Sequence, residues 1–192
     1  MTDIVIDAGR ASLVLAPGDD GRLHQVGFGP DAAEGRASGL PTDLYPLAYP
    51  TFGEEPLREP ALRVTHADGA VSTRLRFVSS ESSPVDGGRA HRVTLADRVA
   101  PLTVTLCFVA RPDAHLIEQW VEVSVGGDAP CTMHQAAAGA PALAGPAPHL
   151  THWGGGWAAE WTETTEALTP GTKVVASAGG VRPSLYLPPV VL

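Results

Sequence analysis

Polar and apolar residues alternate along much of the chain with the period of two that is typical of a β-strand. The clearest case is residues 102–108, LTVTLCF, where every second side chain is large and apolar. In a strand, residues two apart point to the same face, so these side chains are predicted to share one buried face. The predicted face consists of Leu102, Val104, Leu106 and Phe108.

Residues 116–125, LIEQWVEVSV, show the same alternation with charged partners. A helix of this sequence would scatter its charges around its circumference, whereas a strand sorts them onto one side. The apolar side is predicted to hold Ile117, Val121, Val123 and Val125. The polar side is predicted to hold Glu118, Trp120, Glu122 and Ser124.

Shorter apolar runs separated by turn signals fill the rest of the chain, and no stretch requires a long helix. Asp68-Gly69 lies between the runs 61–66 and 70–78, and this dipeptide predicts a two-residue type I′ β-hairpin that joins them. Residues 79–88 are predicted to form a polar loop. Regular short strands with turns between them predict an all-β fold, an antiparallel β-sandwich of two stacked sheets.

Residues 45–64, YPLAYPTFGEEPLREPALRV, cannot continue as a helix or as a central strand. They contain four prolines and Gly53, which stiffen the backbone and remove hydrogen-bond donors. An ordered loop that combines aromatic and charged side chains is typical of a surface that meets a polar ligand or a partner subunit. A rigid crossover whose aromatic residues close the end of the sandwich explains the same pattern, and both interpretations stay open.

Composition narrows the class of partner. The 13 basic and 21 acidic residues give a net charge of −8, and no basic stripe exists to meet the phosphates of nucleic acid or an anionic membrane. No apolar run approaches the roughly 18 residues of a membrane-spanning helix, and the N-terminus lacks the basic start of a signal peptide. The chain is therefore expected to be a single cytoplasmic domain over residues 1–192, with Cys107 and Cys131 reduced rather than paired.

Residues 149–161, HLTHWGGGWAAEW, concentrate Trp153, Trp157 and Trp161 around three consecutive glycines. If the segment is one extended strand, the three indoles share one side. They could then form a platform for a sugar, or pack in the core or a subunit interface. In a strand, His149 and His152 do not point to the same face, so no metal site is expected. No cofactor is expected either.

One group of motifs resembles a known family. Residues 49–53, YPTFG, followed by Arg58, Pro60 and Ala61, resemble the pattern YPxYGxxDxRxPA in the N-terminal domain of glycoside hydrolase family 36, the bacterial α-galactosidases. Further segments resemble the family in the same order along the chain. They are residues 24–29 (HQVGFG), 95–104 (LADRVAPLTV), 154–160 (GGGWAAE) and 168–182 (LTPGTKVVASAGGVR).

The resemblance implies a supersandwich of the galactose-mutarotase-like type, followed in the parent enzyme by a catalytic (β/α)₈ barrel. This chain has no βα alternation and is too short for such a barrel of about 250 residues. The resemblance therefore implies a domain that hydrolyses nothing alone, shapes the pocket for a terminal α-galactoside and assists homo-oligomerisation. An apolar end, LPPVVL, leads us to expect a piece of that larger enzyme.

The substrate-binding residues implied by the resemblance lie in the 45–64 loop. They are Arg58, Glu55, Tyr49 and Phe52. Pro56 stands where the family has an aspartate, which puts the substrate preference in question, although Glu55 is one position away. A stand-alone carbohydrate-binding module and an aldose mutarotase, which needs a histidine acid and a glutamate base, remain the alternatives.

Overall fold

The structure is a computed structural model that describes residues 2–30, 32, 40–54, 58–127, 130–143, 149–156, 159–176 and 186–191. Its contacts divide the chain into two compact units, Met1–Leu143 and Ala144–Leu192, called the first and second unit below. Among the described residues, no helix combines the length and the apolar character needed to cross a membrane.

The first unit is built from antiparallel strands. They are β1 (Ile4–Asp7), β2 (Ser12–Pro17), β3 (Leu23–Gly29), β4 (Leu62–Thr65), β5 (Leu75–Val85), β6 (Gly88–Asp97), β7 (Leu102–Arg111), β8 (Leu116–Val125) and β9 (Thr132–Ala136). The sheets have the orders β1-β2-β3, β4-β9 and β5-β6-β7-β8. Two short 3-10 helices, Thr42–Leu44 and Pro112–Ala114, lie in connections.

One hydrophobic core joins these sheets. It combines apolar side chains of β1, β2, β3 and β4 with those of β5, β6 and β7. The four residues predicted for the buried face of 102–108 are each no more than 2% exposed. On β8, Ile117, Val121 and Val123 are half-buried against the core while Trp120 is 40% exposed. The predicted antiparallel β-sandwich is therefore confirmed.

The predicted hairpin at Asp68-Gly69 is wrong. A turn does form, because Gly69 adopts φ +83° and its N–H donates to the His66 carbonyl at 2.9 Å. The incoming strand β4 nevertheless pairs with β9. On the outgoing side, Thr73 donates its N–H to the Phe52 carbonyl at 3.1 Å. One cross-turn bond forms, from the His66 N–H to the Ala70 carbonyl at 2.8 Å, but beyond it the backbone groups of the two runs pair with distant segments.

The predicted polar loop 79–88 is also wrong. Its residues form most of β5 and the start of β6, which pair from Leu75↔Asp97 to Val85↔Gly88 around Asp86-Gly87. The sequence pattern does not predict this part of β5, because residues 79–85 are exposed on both faces and so show no apolar alternation. Its partner strand supplies the backbone hydrogen bonds that a strand needs.

The second unit is a sheet of order β11-β10-β12, formed by β10 (His149–Gly156), β11 (Ala159–Ala167) and β12 (Tyr186–Val191). The tryptophans do not share one side of a single strand, because the chain reverses between Gly156 and Ala159. Trp153 lies on β10, whereas Trp161 lies on β11, 62% exposed with φ +60°. Trp157 lies outside the described residues.

Cys107 and Cys131 are both free thiols, as expected from the sequence. Cys107 is buried on β7. Burial raises the pKa of its thiol above the ordinary value, which disfavours the reactive thiolate.

Candidate functional site

The described part of the 45–64 loop, residues 45–54 and 58–64, is tied to the sheets at both ends. The Gln25 N–H donates to the Pro46 carbonyl at 2.9 Å, and the Ala48 N–H donates to the Leu23 carbonyl at 2.9 Å. The first half of the loop therefore lies along β3. At the other end, the Phe52 N–H donates to the Leu62 carbonyl of β4 at 3.1 Å. These bonds give the loop the order that its prolines predict.

Tyr49 lies inside the first unit. Its side chain is 3% exposed, and its hydroxyl donates to the Ala137 carbonyl at 2.9 Å. Burial raises the pKa of Tyr49 to about 12. The ring joins the core, so Tyr49 anchors the loop to the chain that follows β9.

Glu54 forms a largely buried ion pair. Its side chain is 5% exposed, and Oε1 accepts from the Arg76 guanidinium on β5 at 2.5 Å. Its other oxygen, Oε2, lies 3.2 Å from the Thr51 hydroxyl, whose single proton is directed to the Thr73 carbonyl. The ion pair fixes the turn at residues 51–54 against β5.

Arg58 spans two segments of backbone. One guanidinium nitrogen donates to the Leu47 carbonyl at 3.1 Å, and another donates to the Ala140 carbonyl at 3.0 Å. Carbonyl acceptors at two places favour arginine because its guanidinium presents several donors in one plane. The side chain therefore holds the loop to residue 140 of the irregular segment after β9.

Phe52 and Arg63 form the exposed part of the site. Phe52 is 41% exposed, and the Arg63 guanidinium carbon lies 5.6 Å from its ring centroid. Arg63 also donates to Glu59 at 3.3 Å. An exposed ring beside a cation offers an aromatic face and hydrogen-bond donors to a polar ligand.

A cleft of about 400 Å³ adjoins the loop beside Arg76. Its lining consists of Ser72, Arg74, Arg76, Asp97, Arg98 and Val99. Burial raises the pKa of Asp97, but hydrogen bonds from the backbone N–H groups of Arg74, Ala100 and Val99 outweigh it, so the pKa is below its ordinary value. A carboxylate whose oxygens already accept three hydrogen bonds is a poor proton donor.

The four residues predicted to bind substrate are thus placed differently. Phe52 is open to solvent, whereas Tyr49 and Arg58 contact backbone carbonyls within the first unit. Glu55 lies outside the described residues. Their contact with a sugar stays a prediction.

The pair of Glu54 and Arg76 was not singled out from the sequence. Its two members lie 22 positions apart, in a loop and a strand whose contact no local pattern records. The only sequence signal was the charge of Glu54 beside Gly53. Gly53 adopts φ +94°, and a Cβ there would lie 2.6 Å from the Ser72 hydroxyl oxygen.

Comparison with known proteins gives a family and a fold. Residues 18–192 match the model of the glycosyl hydrolase family 36 N-terminal domain. Among curated protein sequences, none matches the chain. The matched range contains every segment on which the sequence resemblance depends, so that resemblance is confirmed.

Solved structures agree with this assignment. A variant of the family 36 α-galactosidase AgaA from Geobacillus stearothermophilus, in complex with raffinose, aligns with a TM-score of 0.85 at 20% identity over 98% of this chain and 31% of that one. AgaB of the same organism gives 0.82 at 19% identity over 99% and 32%. The α-galactosidase of Lactobacillus brevis gives 0.74 at 18% identity over 88% and 28%.

The chain therefore spans about a third of the length of these α-galactosidases. At this level of identity the structural likeness establishes the fold, and the family model establishes the relationship. The chain belongs to the glycosyl hydrolase family 36 N-terminal domain family.

Proposed function

We propose that this chain is the non-catalytic N-terminal domain of an α-galactosidase-like glycoside hydrolase, and that its 45–64 loop shapes the entrance to the sugar pocket of the parent enzyme. The observation that carries the proposal is the family match over residues 18–192 by a chain that spans about a third of its structural relatives. The parent hydrolyses terminal α-galactosides of the raffinose type, the sugar named for one of those relatives.

The chemistry of the loop supports a non-catalytic role. Retaining glycosidases need two carboxyl groups about 5 Å apart that face the scissile bond. Glu54 is paired with Arg76, and Asp97 accepts from three backbone N–H groups. Neither carboxylate is available for proton transfer. The catalytic pair is assigned to the remainder of the parent enzyme, in a downstream barrel.

The loop presents a few groups on a rigid support. Tyr49, Arg58 and the Glu54–Arg76 pair fix its backbone to the sandwich, while Phe52 extends from it into solvent. A fixed loop can narrow a pocket without loss of conformational entropy when the sugar binds. Phe52 is the described side chain best placed to contact the sugar.

The test compares Phe52→Ala with Phe28→Ala in the parent enzyme. Both phenylalanines are exposed, at 41% and 48%, but Phe28 lies on β3 outside the loop. Loss of an aromatic contact with the sugar raises KM for a p-nitrophenyl α-galactoside about three- to tenfold, with kcat little changed. Phe28→Ala leaves both constants unchanged. Equal KM values for the two variants would contradict the role of the loop.

A second assay uses the chain alone. It is expected to release no p-nitrophenol from the same substrate, and measurable turnover would contradict the non-catalytic assignment. Binding of galactose in a calorimeter would favour a stand-alone carbohydrate-binding module. Faster mutarotation of α-galactose in a polarimeter would favour the mutarotase alternative.

Homo-oligomerisation and a cytoplasmic location belong to the same proposal. The family resemblance supports the first, and the two free cysteines support the second. Light scattering during size-exclusion chromatography of the parent enzyme tests the first, and fractionation of the source cells tests the second. A monomeric or secreted parent would contradict them.

A further inference from the structure

Three potential metal ligands from separate parts of the first unit converge at one point. Asp20 lies in the turn between β2 and β3, His24 lies on β3, and Asp43 lies in the 3-10 helix Thr42–Leu44. The ligand atoms of the three side chains lie within 4.8 Å of one another. His24 Nε2 is 3.6 Å from Asp20 Oδ1 and 3.8 Å from Asp43 Oδ1.

The orientation of His24 leaves one ring nitrogen for a ligand. Its Nδ1 lies 2.7 Å from the Tyr45 carbonyl, and because a carbonyl can only accept, Nδ1 carries the proton. In the neutral ring, Nε2 therefore holds a lone pair. A hydrogen bond from Nδ1 to a backbone carbonyl is the usual way in which proteins orient a metal-binding histidine.

The lone pair of Nε2 has no hydrogen-bond partner, although His24 is only 1% exposed. It points toward one carboxylate oxygen of Asp20 and one of Asp43. A buried acceptor that faces two carboxylates is unfavourable unless a proton on Nε2 or a metal ion lies between them. The Arg22 guanidinium contacts Asp20 through Oδ2, whereas Asp20 Oδ1 accepts from the Arg22 backbone N–H at 2.8 Å and lies 3.6 Å from His24 Nε2.

The space between the three ligands depends on a glycine. A Cβ at Gly18 would lie 2.0 Å from Asp43 Oδ1, 2.9 Å from Asp20 Oδ1 and 3.1 Å from His24 Nε2. Any larger residue would enter the space that the donor atoms surround. Beside it opens a cleft of about 410 Å³ lined by Arg22, Asp43 and residues 44–47, from which water can complete the coordination.

We propose that Asp20, His24 and Asp43 form a binding site for a divalent transition-metal ion, with zinc as the best match. Zinc takes tetrahedral nitrogen and oxygen ligands at about 2.0–2.2 Å, which places neighbouring ligand atoms roughly 3.4 Å apart. The two distances from His24 Nε2 are close to that value. The imidazole disfavours magnesium and calcium, which prefer oxygen ligands.

The bound ion joins the β2–β3 turn to the segment that enters the 45–64 loop. Asp43 lies two residues before Tyr45, and residues 46–48 pair with β3. The proposal does not depend on the glycosidase assignment, because it concerns binding of a metal to this chain alone.

The test is a calorimetric titration of zinc chloride into the full chain without a polyhistidine tag. One zinc ion is expected to bind per chain. Asp43→Asn removes a ligand and Gly18→Ala fills the space between the ligands, so each raises Kd at least about tenfold, as outer-shell changes at zinc sites already do. Gly18 is not among the glycines with positive φ, so alanine is tolerated by its backbone.

Asp113→Asn is the matched control. Asp113 is also an exposed acidic residue of a 3-10 helix, and it lies outside the cluster. This variant should keep the wild-type Kd. Cobalt gives a second measurement, since a four-coordinate site shows strong visible absorption that His24→Gln abolishes. No zinc binding by the wild-type chain, or an unchanged Kd in both Asp43→Asn and Gly18→Ala, overturns the proposal.

Discussion

Tyr49 connects the 45–64 loop to the rest of the first unit through its buried ring and its hydroxyl. The ring is buried and the hydroxyl donates to a carbonyl 88 positions away. An aromatic residue in a ligand-facing motif can therefore serve the site by fixing its backbone. The same holds for Arg58, whose guanidinium donates to two backbone carbonyls.

Tyr49→Phe is expected to lower the free energy of unfolding by about 1 kcal/mol at pH 7, because a buried carbonyl loses its hydrogen-bond donor. Burial raises the pKa of Tyr49 to about 12 from an ordinary 10. Between these values the unfolded chain releases a proton that the folded chain retains, so folded wild type loses stability as pH rises. Urea unfolding at pH 7 and pH 11 should show the gap between wild type and variant narrowing. A gap that stays constant would contradict the assignment.

Glu54→Ala is expected to destabilise the chain by about 2–3 kcal/mol, because it leaves the largely buried Arg76 guanidinium without its carboxylate. Glu118→Ala is the matched control. Glu118 pairs with Arg111 at 2.7 Å, but the two side chains are 44% and 33% exposed, so its loss costs under about 1 kcal/mol. Urea midpoints measure both. Equal costs would show that burial does not strengthen the pair.

At the scale of elements, the β5–β6 hairpin is defined by its turn and its neighbour. Asp86-Gly87 joins the two strands, and β6 then lies between β5 and β7. The strands persist although the tip of β5 is exposed, because nearly every residue of β5 has a partner on β6. Backbone pairing, and not apolar burial, holds this end of the sheet.

Alanine substitutions at two adjacent glycines of this hairpin are predicted to cost different amounts of stability. A Cβ at Gly88 would lie 2.1 Å from the carbonyl oxygen of Ala110 on β7, so Gly88→Ala forces two backbones apart and costs about 2–3 kcal/mol. Gly87 has φ +65°, and a Cβ there meets only the Arg111 side chain at 3.5 Å. Gly87→Ala therefore costs about 1 kcal/mol, the strain of a left-handed conformation. Thermal unfolding of the two variants tests which one loses more stability. A larger loss in Gly87→Ala than in Gly88→Ala would contradict the prediction.

At the scale of the whole molecule, acidic residues outnumber basic ones, and the net charge is −8. The chain should therefore pass through a heparin column at about 0.15 M salt, since its net negative charge opposes binding to a polyanion. It should also fail to retard duplex DNA in a native gel. A basic protein of similar size serves as the positive control. Retention on heparin would reveal a local basic surface that the net charge conceals.

Local periodicity determined much of the sandwich. Residues 102–108 and 116–125 form strands with the predicted faces inward except at Val125, which is 38% exposed at the end of β8. A period of two is a property of neighbouring residues and needs no distant partner. The prolines of residues 45–64 likewise showed, from the sequence alone, that this segment is not a helix. The order of weak motifs was enough to identify the family.

Only the tertiary structure decided which segments meet. It paired β4 with β9, gave Glu54 the partner Arg76, and turned the chain between Trp153 and Trp161. It also brought Asp43 to His24 from another segment. The physical reason is that hydrogen-bond donors and charges are satisfied by whichever groups the packed sheets bring near, and that choice depends on residues far away in the sequence.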